Sequence, residues 1–236
     1  MKDSGYLSTL QTVPSVPYIT TNLFLNLDAN SYSGSGTTWA DLSSNGRNAT
    51  LINAPTYNSA NGGYFHFTDT SFQYAVTAAV PSISDWTLEA WYRPTKSLTG
   101  KVTAVACNEF TTVLNYSLGN NFAPTSYNLC GGYYNGGWIR TTGLVPTLNT
   151  WYQGVVTYDG STVIQYSNAV SQSTVSSSAS CVSGGGVRIA RRWDLANNDA
   201  ANFFDGDISI VRIYSVALNS SQILQNFNAV RNRYGI

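Results

Sequence analysis

From Leu23 onward, short runs rich in β-branched and aromatic residues alternate with clusters of Gly, Asn, Ser and Pro, and this rhythm constrains the fold more than any other feature of the chain. The runs are Leu23 to Asp28, Tyr64 to Phe67, Trp86 to Arg93, Val102 to Cys107, Thr111 to Leu118, Trp151 to Tyr158, Thr162 to Tyr166, Val187 to Ala190 and Ile208 to Tyr214. Such spacing predicts a β-sandwich or jelly roll, and all-β folds commonly reach this length as one domain. Between Trp86 and Tyr92 the residues Trp86, Leu88 and Ala90 share one strand face and Thr87, Glu89 and Trp91 the other. Apolar groups on both faces suit a central strand. Asp159-Gly160 between two runs predicts a hairpin turn. Ser33 to Gly36 and Ser176 to Gly186 read as polar loops.

One helix is expected at the C-terminus. Asn219 or Ser220 can cap a run in which Ile223, Leu224, Phe227 and Val230 lie on one face, and Gly235 supplies the stop. Arg231 and Arg233 sit near the negative end of its dipole. Its expected role is to pack against a sheet.

The supply of catalytic groups is small: two glutamates, Glu89 and Glu109, one histidine, His66, and 12 acidic residues in all. Acid/base mechanisms need several ionisable groups converging on one site. The 16 Tyr, 9 Phe, 6 Trp and 20 Gly favour a rigid scaffold with amphipathic aromatic loops, hence binding or assembly. His66 has no Cys-His or multi-His spacing near it and reads as a plain strand residue.

Twelve basic residues balance the acidic ones, so no net field draws the chain to nucleic acid or anionic lipid. Arg188, Arg191 and Arg192 form the one basic knot and read as solvated or carboxylate-paired rather than as a phosphate site. No stretch is long and apolar enough to span a membrane, and no apolar run follows Lys2 as a secretion signal requires. Cys107, Cys130 and Cys181 leave at least one thiol unpaired. Buried free thiols in a reducing compartment are expected, with a Cys107–Cys130 bridge between neighbouring strands as the alternative.

Residues 1–20 read as an extended arm, and residues 21–236 as the domain. Pro14 and Pro17 favour extended backbone, while Tyr6, Leu7, Leu10, Val13, Val16, Tyr18 and Ile19 give the arm apolar groups to bury. A groove at a subunit interface would receive them. Tyr133-Tyr134-Asn135-Gly136-Gly137-Trp138, with Tyr127 before it, is the main candidate for recognition, joined by Trp193. Glycine permits a tight exposed loop, and aromatic faces stack on sugar rings or on a partner's apolar surface. The alternative is that Trp138 and a tyrosine merely cover the end of the sandwich.

Leu27-Asp28-Ala29 followed by Thr38 to Leu51 resembles the opening of laminin-G-like domains of the concanavalin A-like lectin/glucanase superfamily. Asp85 to Pro94 resembles the family's central strand, Trp151 to Ser161 its Trp-Tyr and Thr-Tyr-Asp-Gly hairpin, and Phe204 to Tyr214 with Ala217-Leu218 its closing strand. The resemblance spans about residues 23–233 and implies an antiparallel jelly roll of two curved sheets. Glucanase members carry a Glu-x-Asp-x-x-Glu arrangement on one strand, and retaining chemistry needs two carboxyls about 5–5.5 Å apart. Glu89 has no carboxylate at 87 or 91, and Phe110 and Thr111 follow Glu109, so no enzyme is expected.

Many laminin-G-like domains bind calcium through carboxylate, amide and carbonyl oxygens. By resemblance the ligands here would be Asp41 with Asn45 or Asn48, and Asp207. The family's Ile-Asp pair is Ile208-Ser209 in this chain, and capping roles for Asp41 and Asn45 are favoured over metal binding. No other cofactor is expected. The functional expectation is a non-enzymatic virion component, a capsid decoration or tail-associated subunit assembled in the host cytoplasm. It would bind other subunits or copies of itself, and glycans, but neither nucleic acid nor a membrane interior. The closing residues Ile223 to Gly235 resemble those of laminin-G-like domains in phage structural proteins. The alternative is a carbohydrate-binding lectin module.

Overall fold

The computed structural model describes residues 17–80, 83–98, 104–108, 114–119, 128–134, 137–177, 185–192 and 199–236. They form two antiparallel sheets packed face to face, as the strand rhythm predicts. In the first sheet the order is β14 (Val170–Ser176), β13 (Thr162–Ser167), β12 (Tyr152–Tyr158), β7 (Trp86–Pro94), β16 (Gly206–Tyr214), β5 (Tyr64–Phe67) and β4 (Thr56–Asn58). Strand β1 (Leu23–Asp28) shares the outer edge of β16 with β5. The second sheet runs β11 (Trp138–Arg140), β10 (Cys130–Tyr134), β9 (Leu114–Gly119), β8 (Ala104–Asn108), β15 (Gly186–Ile189), β6 (Tyr74–Ala79), β3 (Ala49–Ile52) and β2 (Thr38–Trp39).

Strand β7 is the central strand its pattern predicts. Trp86, Leu88, Ala90 and Tyr92 enter the core between the sheets. The alternate residues face outward, where Trp91 stacks on Phe227 and Tyr234 at 5.7 and 4.5 Å. The hairpin at Asp159-Gly160 also forms. Asp159 Oδ1 accepts from the Ser161 and Thr162 amides, and Gly160 takes a φ of +87°. Polar β14 and the short strands β2 and β4 carry too little period-two contrast to be read in sequence, because edge strands owe their pairing to a neighbour, and β3 between β2 and β6 is only four residues long.

The helix α1 (Ser220–Val230) is capped by Asn219, whose side chain accepts from Gln222 while Gln222 reaches back in a capping box. It lies on the outer face of the first sheet. Ile223 and Val230 are buried as expected, but Leu224 is 49% exposed and Asn226 takes the buried position instead. Asn226 faces the polar residues of β7 and β16, which a leucine could not satisfy. Arg233 acts less on the dipole than as a clamp: its Nη1 and Nη2 meet both Asp28 oxygens at 2.8 and 3.0 Å. Among the described residues no helix is long and apolar enough to cross a membrane.

Residues 17–19 are held by their own domain. The Ile19 amide donates to Asn226 Oδ1, Gln225 Nε2 donates to the Pro17 carbonyl, and Arg212 lies 4.0 Å over the Tyr18 ring. Tyr18, grouped with the arm in the sequence reading, therefore packs in cis. Tyr6, Leu7, Leu10, Val13 and Val16 lie outside the described residues. Cys107 and Cys130 are buried and form no disulfide with each other. Strand β9 separates them, which at about 4.8 Å per strand places them beyond the roughly 7 Å reach of a disulfide. Cys181 lies outside the described residues.

Candidate functional site

With α1 on the first sheet, the second sheet offers an outer face of different character, built from β10, β11, β8, β15 and β6. Tyr133 and Tyr134, expected in an exposed loop, belong instead to strand β10. Its alternation sends Tyr133 and Tyr134 to opposite faces. Gly131 points inward, where a Cβ would come within 2.1 Å of Val156 Cγ2, so only glycine lets β10 approach β12 this closely. Tyr133 follows two residues later on the same face. It is fully buried, packs on Tyr158 at 5.1 Å and donates to Ser177 Oγ. Tyr133 is thus a core residue, correcting its place among the ligand-facing candidates.

Tyr134 faces outward and pairs across the hairpin with Trp138, their rings 5.0 Å apart and edge-on. Both side chains are half-buried and rest on Cys107 of β8. The structure brings these two together. Tyr127, Asn135 and Trp193 lie outside the described residues.

Cys107 links this aromatic end to a cationic one. It stands in register with Arg188 of β15, and its thiol donates to the Arg191 carbonyl. Arg188 and Arg191 both stand over Tyr74 of β6, at 5.7 and 4.8 Å from the ring centre. Arg191 also stands 5.0 Å from the ring centre of Phe203. Both arginines are buried, at 4% and 6% exposure, so of the two expected alternatives the solvated one fails for them. The aromatic partners Tyr74 and Phe203 escaped the sequence reading because they lie far from the knot along the chain. The available signal was an arginine cluster placed directly after a core strand.

Of the proposed calcium ligands, Asp41, Asn45 and Asn48 meet in one turn, where their side chains bond neighbouring backbone. Asp41 Oδ1 accepts from the Asn26 and Ser43 amides, and its Oδ2 from the Arg47 amide and the Ser43 hydroxyl. Asn48 Oδ1 accepts from the Asp41 amide, and Asn45 Nδ2 donates to the Phe24 carbonyl. These are turn and capping bonds. Asp207 is engaged elsewhere: its Oδ1 lies 2.8 Å from His66 Nδ1 and its Oδ2 accepts from Arg93 Nε at 2.6 Å. Burial pulls the Arg93 guanidinium down, but the hydrogen bond and charge of Asp207 outweigh it and leave it raised. No cluster of three His, Cys, Asp or Glu groups that could hold a metal occurs among the described residues.

Glu89 is buried beneath α1. Its Oε1 accepts from Trp91 Nε1 and Gln153 Nε2, and its Oε2 accepts from Asn226 Nδ2. That arrangement saturates a carboxylate rather than freeing it for catalysis. A cavity of about 100 Å³ lined by Ser97, Leu98, Val145, Pro146 and Leu148 has no ionisable side chain in its wall.

A laminin-G model described as the concanavalin A-like lectin/glucanases superfamily matches residues 67–224. Among solved structures, the binding domain of Paraclostridial Mosquitocidal Protein 1 aligns with a TM-score of 0.72 at 17% identity, over 92% of this chain and 55% of that one. Domain 4 of AbnA, a GH43 extracellular arabinanase from Geobacillus stearothermophilus solved in complex with arabinotriose, gives 0.69 at 16% identity, over 87% and 98%. The receptor binding domain of botulinum neurotoxin type G gives 0.64 at 12% identity, over 87% and 51%. The chain spans about half the length of the two toxin binding domains. At these identities the shared property is the fold. No curated protein sequence matches.

Proposed function

Since this chain belongs to the laminin-G-type concanavalin A-like lectin/glucanase superfamily, we propose that it is a non-enzymatic binding module whose ligand is a glycan docked on the outer face of the second sheet. The observation that carries this reading is the outward pair Tyr134 and Trp138, half-buried and edge-on above Cys107. Rings fixed by packing present an apolar face at little entropic cost, which suits stacking on a sugar. Supporting it, AbnA domain 4 was solved with a trisaccharide, and a botulinum neurotoxin DC binding domain was solved with SialylT. A second such neurotoxin binding domain was solved in complex with rat synaptotagmin II. A glycan array with the wild type, Tyr134→Ala and Trp138→Ala tests the reading. Bound glycans lost in both variants are expected, and binding that survives both overturns the site.

The setting proposed for this module is a virus particle, where neighbouring subunits would be further partners. That part rests on the apolar content of residues 1–16 and on the likeness of residues 223–235 to phage structural domains. Co-purification with particles and light scattering test it, and a monomer never found in an assembly overturns it.

A further inference from the structure

Arg191 is a buried cation for which the described residues supply no anion. It leaves β15 through Ala190, whose φ of +65° is strained for a residue with a Cβ and turns the chain out of the ladder. Its guanidinium is pinned between the rings of Tyr74 and Phe203, and its Nε is buried without a hydrogen-bond acceptor. Among the described residues no carboxylate pairs with it; the carboxylates of Asp69 and Asp205 are bound to Lys96 and Thr95. Ring faces attract a cation but accept no N–H bond along its edge. A charge taken out of water persists in native structures when something pairs with it.

We propose that Arg191 anchors an anion subsite that takes the carboxylate of an acidic saccharide. The proposal rests on the reading of this face as a glycan surface. The subsite shares a sheet face with the aromatic pair: the side chain of Cys107 lies against Tyr134 and Trp138, and its thiol bonds the backbone carbonyl of Arg191. The rings of Tyr74 and Phe203 orient the guanidinium, so its N–H edge is preorganised for a planar group. The planar fork of the guanidinium matches a carboxylate, and because Arg188 stands over the same Tyr74 ring the test also sets sulfate and phosphate esters against it.

The test uses the full chain with methyl glucuronide, neutral methyl glucoside, glucose 6-sulfate and glucose 6-phosphate as probes. Affinities are read from tryptophan fluorescence, and the Arg191 Nε–H signal is followed by NMR. The glucuronide is expected to bind roughly tenfold or more tighter than the glucoside and to shift the Arg191 Nε–H resonance. In Arg191→Gln the two sugars should bind alike, at the wild-type affinity for the glucoside. Arg191→Lys should restore only part of the preference. If Arg191→Gln does not fold, the titration of the wild type decides by itself. Equal wild-type affinities with an unmoved Nε–H overturn the anion subsite and leave the glycan reading standing. A preference for the sulfate or phosphate ester overturns the carboxylate assignment. Absence of binding to any sugar, on the array as well, overturns both.

Discussion

Asn226 of the helix donates its Nδ2 to Glu89 Oε2 of the central strand at 2.8 Å, inside a layer sealed from solvent. Arg212 Nη1 lies 3.5 Å from the other oxygen, and Arg212 Nε donates to Asn26 Oδ1. A buried charge with this many donors stays stable only while the set is complete. Glu89→Gln places an amide NH₂ among donors and is expected to cost about 3–5 kcal/mol in urea unfolding. An unchanged midpoint would show that the carboxylate does not hold the helix to the sheet. Tyr18→Ala, which uncovers Arg212 and removes the Asn26 partner, should cost about 1–2 kcal/mol.

Tyr133 and Tyr134 should respond oppositely to truncation. Tyr133→Ala empties a core position against Tyr158 and is expected to cost about 3–5 kcal/mol. Tyr134→Ala should cost far less while abolishing glycan retention. Paired thermal melts and array binding check this, and a Tyr133→Ala protein of native stability would contradict its burial.

Alkaline pH should loosen the fold. Burial raises the Tyr234 phenol to about 12, with Arg233 and the Ser209 hydrogen bond opposing. Burial raises Tyr92, Tyr116 and Tyr214 as well. A folded-state pKa above the unfolded value means the native state holds its protons longer. The contribution is therefore complete below about pH 10 and lost as pH rises through the folded values. Phenolate absorbance should lag the exposed tyrosines and appear together with loss of the β-type circular dichroism.

At the other end of the scale, hydrogen bonds from the Ser161 amide and hydroxyl hold the Asp159 carboxyl below its ordinary 3.8. Its contribution is present above that value and lost as pH falls through the lower folded one. Asp159→Asn should flatten the acid limb of the stability profile below pH 4, measured as the urea midpoint against pH. A limb as steep as that of the wild type would place the acid sensitivity elsewhere.

Chelation should leave the melting temperature unchanged, because the Asp41 oxygens are filled by amides and a hydroxyl. Asp41→Ala should destabilise by about 1–3 kcal/mol with or without calcium, by orphaning the Asn26 and Arg47 amides. A melting temperature that falls on chelation and recovers with calcium would return Asp41 to the metal-ligand set.

What the sequence determined by itself is the local grammar. The two-faced pattern of Trp86 to Tyr92, the turn at Asp159-Gly160 and the cap at Asn219 depend on neighbours within a few residues, so they are legible without the fold. The same holds for the superfamily, whose motifs lie in those strands and turns. The binding face was decided by tertiary structure. Whether Tyr133 or Tyr134 looks outward depends on the register of β10, and Gly131 sets that register by fitting beneath Val156 of the opposite sheet. Tyr74, Arg191 and Phe203 meet only because β6 and β15 pair, and because Arg191 bridges to Phe203. A contact of that kind has no period along the chain: pairing between distant strands creates it, and the chemistry of the three residues appears only after they are brought together.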